Sequence, residues 1–313
     1  MLHLRVVCPP EHTTAALDLL KAEPGATHLV LLPGAAVDPP GDVIETDVAR
    51  ESADQVIDRL CDLGIDRAGG IAVEQVDVAV SDAADRAEEA APGEGADAVV
   101  WQELLGRTGE ESRLNSTFLS FMVIACLLAA VGVVTDSTVT LVGAMVVGPE
   151  FGPLAAVAVG LVRRRWDLVG RASTALAVGF PAAMLVTAGG TVLAQWAGML
   201  DVNVIRGGRD LDFVYDVGVF SLIVALLAGA AGMLSMTSAK SAALVGVFIS
   251  VTTIPAAGYA AVAAVLGEWD RCLASFGQLV LNLVGIVLAA SVVLLVRKRT
   301  WTTTDNGRPL STG

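Results

Sequence analysis

The residues with the clearest chemical potential lie in one apolar stretch, Leu141 to Leu161, whose middle reads Gly148-Pro149-Glu150-Phe151-Gly152-Pro153. Each proline removes a backbone donor and clashes with the preceding turn, and the glycines loosen the backbone, so this stretch predicts a broken helix. Glu150 adds a carboxylate where charge is costly. In transporters, membrane helices broken in this way form substrate or ion sites. We therefore assign a candidate substrate- or ion-binding site to Gly148, Pro149, Glu150, Gly152 and Pro153.

Two further polar groups lie in later apolar stretches. Thr252-Thr253-Ile254-Pro255 predicts a second break, where the hydroxyls either satisfy freed carbonyls or coordinate a cation. Gln278 and Asn282 are spaced i, i+4 and share one helix face, so they either bond across helices or line a path. The candidate site is completed by Thr252, Thr253, Pro255, Gln278 and Asn282.

Glu150 has three interpretations. As a buried carboxylate it requires a donor, a cation or a proton, and the N–H groups of the following half-helix are available donors. It then acts either as a proton- or cation-coupling site or as a polar cap of that half-helix. In the third interpretation the break lies near the cytoplasmic surface and Glu150 is hydrated. Because Glu150 is the thirteenth of the 25 residues Thr138 to Val162, its position favours the membrane midplane.

The composition divides the chain into an acidic head and an apolar body. The whole chain is 54% hydrophobic with a net charge of −13, yet residues 1–113 hold 8 basic and 23 acidic residues. The acidic head argues against nucleic-acid binding and against docking on anionic lipid. The four cysteines and three histidines show no ligand spacing, so we expect no metal site, assign no cofactor, and expect no cleaved signal peptide.

The head, residues 1–98, predicts a ferredoxin-like βαββαβ domain. Its predicted strands are Leu2–Val7, His28–Leu32 closed by Pro33-Gly34, Asp42–Val48 and Ile71–Val80, and its predicted helices are Thr13–Ala22 and Ala53–Leu63, with Ser52 as N-cap. Ala83 to Ala98 predicts a helix and a flexible linker. Residues 99–113 are assigned to a linker and lead-in helix, 114–299 to the membrane domain and 300–313 to a disordered cytoplasmic tail.

The body predicts six membrane-spanning segments, each near or above the length needed to cross a bilayer. They are Thr117–Val134, Thr138–Val162, Leu168–Trp196, Val214–Leu234, Ala239–Leu266 and Cys272–Val296. Basic residues cluster on one side, before the first segment and after the second, fourth and sixth. This pattern predicts a multi-pass cell-membrane protein with both termini in the cytoplasm.

An internal repeat relates the two halves of the body. Leu141-Val142-Gly143 recurs as Leu244-Val245-Gly246, and Pro153 recurs as Pro255, at offsets of 103 and 102. A unit of three spans crosses an odd number of times, so its second copy must be inverted, as in many transporters. We expect two inverted three-span repeats with broken central helices.

The second predicted span resembles the family called domain of unknown function 389, an uncharacterised hydrophobic domain. Gly143-Ala144-Met145, Gly148-Pro149 and Gly152-Pro153 match the family's G-A-M…P…G-P segment, and the likeness extends over residues 114–296 and to the head. Many members have an apolar residue where this chain has Glu150, so the resemblance implies no family-wide role for that carboxylate. It implies a polytopic membrane protein, without an established substrate or reaction.

The leading hypothesis is a transporter or channel for a small solute or ion, regulated by a sensor-like head. The alternative is a membrane-anchored ligand sensor or scaffold without transport. We expect no enzyme activity, since the body has no histidine and only Glu150 as an acid clearly inside a span. The expected partners are the lipid bilayer and a small solute or ion, with a homo-oligomer also open.

Overall fold

The computed structural model of the chain describes residues 1–76, 78–91, 99–200, 219–238 and 253–305, with side chains up to residue 297. The chain divides into two compact units. The first is built around Met1–Leu104, and the second comprises Leu105–Met236 and Lys240–Lys298.

The first unit is a small antiparallel sheet with helices. Its elements are β1 (Leu2–Cys8), α1 (Pro10–Ala22), β2 (Ala26–Val37), β3 (Pro40–Val48), α2 (Arg50–Asp62), α3 (Ile65–Ala68), β4 (Gly70–Gln75) and α4 (Asp82–Ala90). The four strands lie in the order β2-β3-β1-β4, and every neighbouring pair is antiparallel. Alternate residues of β1, such as Leu4 and Val6, are fully buried against α1 and α2, which follows from the period of two in a strand.

The ends of two strands in this unit differ from the sequence predictions. Pro33-Gly34 does not close β2, because β2 is an edge strand, where a missing donor is tolerated, and Gly34 takes a positive φ of 64° at an irregularity in the register. β4 ends at Gln75, which pairs with Leu2 at the start of β1, and beyond this pair the Val76 amide donates only to the Met1 carbonyl oxygen at 3.4 Å. Val76 and residues 78–80 do not form the predicted strand, and Asp77 lies outside the described residues.

The predicted N-cap of α2 is also wrong. Ser52 lies inside the first turn of α2 and is buried, while Ala49 occupies the cap position without a side-chain cap. A Cβ on Gly25 would lie 2.4 Å from the Ser52 hydroxyl oxygen, so the Ser52 side chain packs tightly against Gly25. A local capping rule cannot anticipate that contact, because it joins residues far apart in the chain.

The second unit is helical. Its helices are α6 (Ser116–Val134), α7 (Thr138–Val147), α8 (Phe151–Arg163), α9 (Trp166–Trp196), α10 (Val219–Thr237), α11 (Ile254–Val265) and α12 (Trp269–Asp305), and α5 (Trp101–Glu111) spans the boundary between the units in sequence. Asn115 and Ser137 start α6 and α7 by accepting hydrogen bonds from the Phe118 and Thr140 amides at 2.7 and 3.3 Å.

Four of these helices, α6, α9, α10 and α12, are long and apolar enough to cross a membrane. The bent pair α7 and α8 makes a fifth if it is counted as one span. The chain therefore has the helices of a multi-pass membrane protein. Of the predicted fifth span, residues 239–252 lie outside the described part, and the rest includes the short apolar helix α11. The last helix continues to Asp305, into the segment predicted as a tail, and residues 306–313 lie outside the described part.

Candidate functional site

The predicted break in the second span is present. α7 ends at Val147, α8 begins at Phe151, and the two helix axes differ by 52°. Gly148 and Pro149 adopt no regular structure between them, and Pro153 lies in the first turn of α8, where the missing amide donor is harmless. The break thus follows from the local sequence and leaves Glu150 at the start of α8.

Glu150 meets the second predicted break. The Thr253 hydroxyl donates a hydrogen bond of 2.6 Å to Glu150 Oε1, and both side chains are fully buried. This distance is typical of a hydroxyl donating to a carboxylate. Neither side chain caps the helix that it precedes, α8 for Glu150 and α11 for Thr253. The residues that directly precede α8 and α11 therefore meet through their side chains. Glu150 makes no side-chain cap on α8, so the structure does not support the capping interpretation.

Close helix packing holds this pair in an apolar interior. α11 packs against α6 at Gly258, where a Cβ would lie 2.6 Å from Ala129 Cβ and 3.2 Å from the Cys126 carbonyl oxygen. Only a residue without a side chain allows this approach. The Cys126 thiol is also near enough to interact electrostatically with Glu150. Glu150 is thus enclosed by a core shared by α6, α7, α9 and α11.

A cavity of about 400 Å³ borders the break. Gly148, Pro149, Phe151 and Gly152 line it from the break, and Arg107, Glu110, Glu111 and Arg113 line it from α5 and the residues after it. Arg107 and Glu111 form an ion pair at 3.4 Å, and Gly152 packs on Glu111 so tightly that a Cβ there would lie 2.6 Å from Glu111 Cβ. The candidate site therefore has a polar, charged recess next to Glu150.

Gln278 and Asn282 form hydrogen bonds with Ser221 and not with the Glu150–Thr253 pair. The Gln278 amide nitrogen donates to the hydroxyl of Ser221 on α10, and that hydroxyl donates to Asn282 Oδ1 at 3.3 Å. Thr252 lies outside the described residues, and Pro255 occupies the first turn of α11. The structure thus brings Glu150 together with Thr253, and Gln278 together with Asn282, as two clusters.

Sequence reasoning missed Cys126, Ser221 and Ser275. Ser275 precedes Gln278 by three residues and Asn282 by seven, so the helical period could have found it. Ser221 and Cys126 carry no such local signal, because their partners lie on other helices.

The first unit contains one cluster of titratable groups that the sequence did not indicate. Asp47 accepts hydrogen bonds from His3 at 2.8 Å and from His28 at 2.7 Å, and His28 also contacts Ser81 at 2.9 Å. Burial acts to raise the pKa of Asp47, but the two histidines outweigh it, so the pKa lies below its ordinary value. Within the described residues, no group of three or more His, Cys, Asp or Glu side chains could hold a metal ion.

Comparison with known proteins finds one family that the body resembles. Residues 145–288 match the family described as Domain of unknown function (DUF389). This part of the chain is therefore similar to that family. It is also 24% identical over 211 residues to an uncharacterised protein, MJ0678, of Methanocaldococcus jannaschii, a match that covers 66% of this chain and 62% of that protein. No solved structure matches the chain.

The DUF389 match starts at Met145, just before the break, and ends within α12, so it includes Glu150, Thr253, Gln278 and Asn282. The family resemblance noted in the sequence is therefore confirmed. Neither matched name describes a substrate or a reaction, and the function must be argued from the geometry of this domain.

Proposed function

We propose that the DUF389 body is a transporter or channel for a small solute or ion, in which Glu150 couples movement to a proton or cation. The observation on which this proposal depends is the hydrogen bond that joins Glu150 to Thr253, the residues that directly precede α8 and α11. Interrupted helices that meet around an ionisable group are the usual construction of ion and substrate sites in transporters.

The helix bounds support an internal repeat. α6 and α10 start at Ser116 and Val219 and have 19 residues each, α8 and α11 start at Phe151 and Ile254, and α9 and α12 start at Trp166 and Trp269. Each of the three pairs is offset by 103 residues, the spacing found in the sequence. We take α6–α9 and α10–α12 as two copies of one three-span unit, the second inverted because the unit crosses an odd number of times.

The Glu150–Thr253 contact supports a location near the middle of the membrane. The two residues are themselves separated by 103 positions, so they occupy equivalent places in the two copies. Equivalent residues of two copies contact each other only close to the two-fold axis that relates them. In an inverted repeat this axis lies in the membrane plane. Glu150 therefore belongs near the midplane, where a change in its charge has the greatest energetic consequence.

The electrostatic surroundings of Glu150 suit a carboxylate that binds a proton or a cation. Glu150 and Thr253 each directly precede a helix, α8 of 13 residues and α11 of 12, and a helix N-terminus favours a negative charge. The apolar core around the pair opposes that charge. A carboxylate held between these opposing effects is suited to bind a proton or a cation, and the recess lined by Pro149 and Phe151 lies beside it.

The remaining assignments extend the proposal. The strand order β2-β3-β1-β4 with antiparallel neighbours is that of a split βαβ arrangement, so we assign the head to the ferredoxin-like fold and give it a regulatory role. The basic residues Arg163, Arg164 and Arg165, where α8 ends and α9 begins, support our assignment of that turn, the head and both termini to the cytoplasm of a cell-membrane protein.

The proposal is tested with purified protein in liposomes, by recording currents on a solid-supported membrane. The wild-type protein is expected to give a current for at least one of a panel of inorganic ions, organic acids and amines, with an amplitude that depends on pH or sodium. Glu150→Gln, which keeps the shape but removes the charge, is expected to abolish that dependence. If the wild-type protein gives no current with any solute, the alternative of a sensor or scaffold without transport replaces the proposal.

A further inference from the structure

The last helix carries a buried polar stripe that is separate from the Glu150–Thr253 pair. Ser275, Gln278 and Asn282 lie on one face of α12, and their residue exposures are 0%, 2% and 0%. Ser221 of α10 joins Gln278 to Asn282 through the two hydrogen bonds described above. Four side chains with oxygen atoms therefore gather on two apolar, membrane-length helices.

The hydrogen bonds within this stripe leave acceptors unused. The Gln278 amide nitrogen donates to Ser221 and the Ser221 hydroxyl donates to Asn282, yet Gln278 Oε1 and Ser275 Oγ are buried with no hydrogen-bond partner among the described residues. A buried polar atom without a partner destabilises a protein, because it has lost its hydrogen bonds to water and gained none. A helix pair that needed only to pack would not retain two such atoms, so the stripe has the composition of a site for an occupant.

The equivalent interface in the first copy shows that packing does not require polarity. Subtracting 103 from the numbers of Ser275, Gln278 and Asn282 gives Ala172, Ala175 and Gly179 of α9, and all three are buried. Ser221 corresponds to Phe118, which packs on Gly179 so closely that a Cβ there would lie 2.8 Å from Phe118 Cε1. The same pair of positions thus makes an apolar contact in one copy and a hydrogen bond in the other.

We infer that Ser221, Ser275, Gln278 and Asn282 form a binding site for a monovalent alkali cation, a site present only in the second copy. This inference rests on the repeat advanced in the proposed function. Amide and hydroxyl oxygens are ligands for hard cations, whereas transition metals favour nitrogen or sulfur. The four side chains are uncharged, and uncharged oxygens suffice for such an ion, since backbone carbonyl oxygens replace the hydration shell of potassium in channel filters. Divalent cations usually take carboxylate ligands, which these four residues do not supply.

The position of this site links it to Glu150. Leu154, Ala225 and Ile286 meet in one buried cluster, and Glu150, Ser221 and Asn282 each precede one of these residues by four positions. Four residues correspond to about 6 Å along a helix, so both polar groups lie about one turn from a shared contact. At such separations in an apolar interior, a bound cation and a carboxylate influence each other strongly. The site thus supplies the coupling cation of the proposed function.

Thermal unfolding of the purified full-length protein in detergent tests the site without any need for transport. The probes are sodium chloride and potassium chloride, compared with choline chloride at the same concentration. The wild-type Tm is expected to rise saturably, by about 3 °C or more, with sodium or potassium but not with choline. The variant Ser275→Ala with Gln278→Ala carries the residues that the first copy has at these positions, so it should fold, and its cation-specific rise should be lost.

Two matched variants locate the effect. Thr187→Val removes another buried hydroxyl that has no hydrogen-bond partner among the described residues, on α9, and should keep the full cation response. Glu150→Gln should weaken the cation response without removing it, because the carboxylate charge favours a nearby cation but Glu150 supplies no ligand to the stripe. If the double variant does not fold, Ser275→Ala alone should weaken cation binding at least several-fold.

Three results would overturn the site. They are no difference between the alkali cations and choline for the wild-type protein, a response that survives in the double variant, and a response lost only in Glu150→Gln. The last result would place the cation at Glu150, and it would leave the proposed function standing while removing this site. Absence of transport in liposomes, in contrast, would remove the proposed function and leave the binding result to be judged by itself.

Discussion

In the proposed repeat, the interface of α6 with α9 and the interface of α10 with α12 occupy equivalent places in the two halves of the body, but they differ in chemistry. The first joins Phe118 to Gly179, and the second joins Ser221 to Asn282 at the same offset of 103 residues. Where the halves meet, an acid of the first half faces a hydroxyl of the second. The fold accommodates apolar residues at these positions in the first half, so packing does not require the polar residues found there in the second half.

Exchange of the two residues at the meeting point gives the largest expected effect. Thr253→Glu alone places a second carboxylate against Glu150, and like charges in a buried site are strongly unfavourable, so the Tm should fall sharply at neutral pH. Adding Glu150→Thr restores one acid and one hydroxyl in exchanged positions. The Tm should then recover, with a coupling energy of about 1–3 kcal/mol in the double-mutant cycle.

Thr253→Gln is the size-matched control for that cycle, because it adds the bulk of glutamate without its charge. It should lower the Tm less than Thr253→Glu. A cycle with purely additive effects would show that the two positions are not equivalent partners.

The halves also differ in how closely their helices cross. A Cβ on Gly229 of α10 would lie 2.5 Å from the Ile286 carbonyl oxygen of α12, whereas the equivalent position in the first half holds Cys126. Gly229→Cys, which copies the first half, should therefore destabilise the protein by about 1–3 kcal/mol, as overpacking does. Thermal unfolding measures this, and Gly277→Ala, where a Cβ meets nothing within 4 Å, is the control that should not destabilise. A tolerated Gly229→Cys would contradict the closer crossing.

The smallest expected change in stability concerns Asp47 in the head. This carboxylate contacts two histidines at a partly exposed site, so it can be compared with the fully buried Glu150. The pKa of Asp47 is lowered because the hydrogen bonds and charges of His28 and His3 outweigh the opposing effect of burial. A carboxyl group whose pKa is lower when folded adds stability at pH values above its unfolded pKa, and this stability is lost as the pH falls through the folded pKa.

Wild-type protein should therefore lose head stability below about pH 4, and Asp47→Asn should flatten this part of the profile. The isolated fragment 1–104 is the sample, and we expect it to unfold cooperatively, as a domain with its own core does. The measurement is far-UV circular dichroism against temperature at several pH values. An unchanged profile in Asp47→Asn would exclude this carboxyl as the source.

The break in the second span and the bounds of the first span were predicted almost completely from the sequence. Pro149 and Pro153 act within one or two turns, and α6 begins one residue before the predicted Thr117, so local rules were sufficient there. Thr253 was predicted as a partner of Glu150 only on the condition that the two breaks meet. That condition depends on tertiary contacts such as Gly258 against Ala129, which no local pattern reveals.

Other features lay beyond local reasoning for the same physical reason. Ser52 fits the N-cap preference, but the space left by Gly25 decides its position. Ser221 is an ordinary serine at the start of an apolar helix until α12 brings Gln278 to it. The sequence predicted Gln278 and Asn282 of the polar stripe of α12 but not Ser275. Ser275 stands out only when its helical spacing is combined with the comparison to Ala172, the residue 103 positions earlier.

The orientation of the two copies is the central claim, and labelling at one pair of equivalent residues tests it most directly. Trp166 and Trp269 begin α9 and α12, are 67% and 63% exposed, and are offset by 103 residues. Each is replaced by cysteine in a chain whose four native cysteines are changed to serine or alanine, and intact cells are treated with a membrane-impermeant maleimide. Inverted copies place the two residues on opposite sides, so Trp269→Cys should be labelled from outside and Trp166→Cys only after the membrane is permeabilised. Labelling of both residues from outside, or of neither, would contradict the inverted repeat.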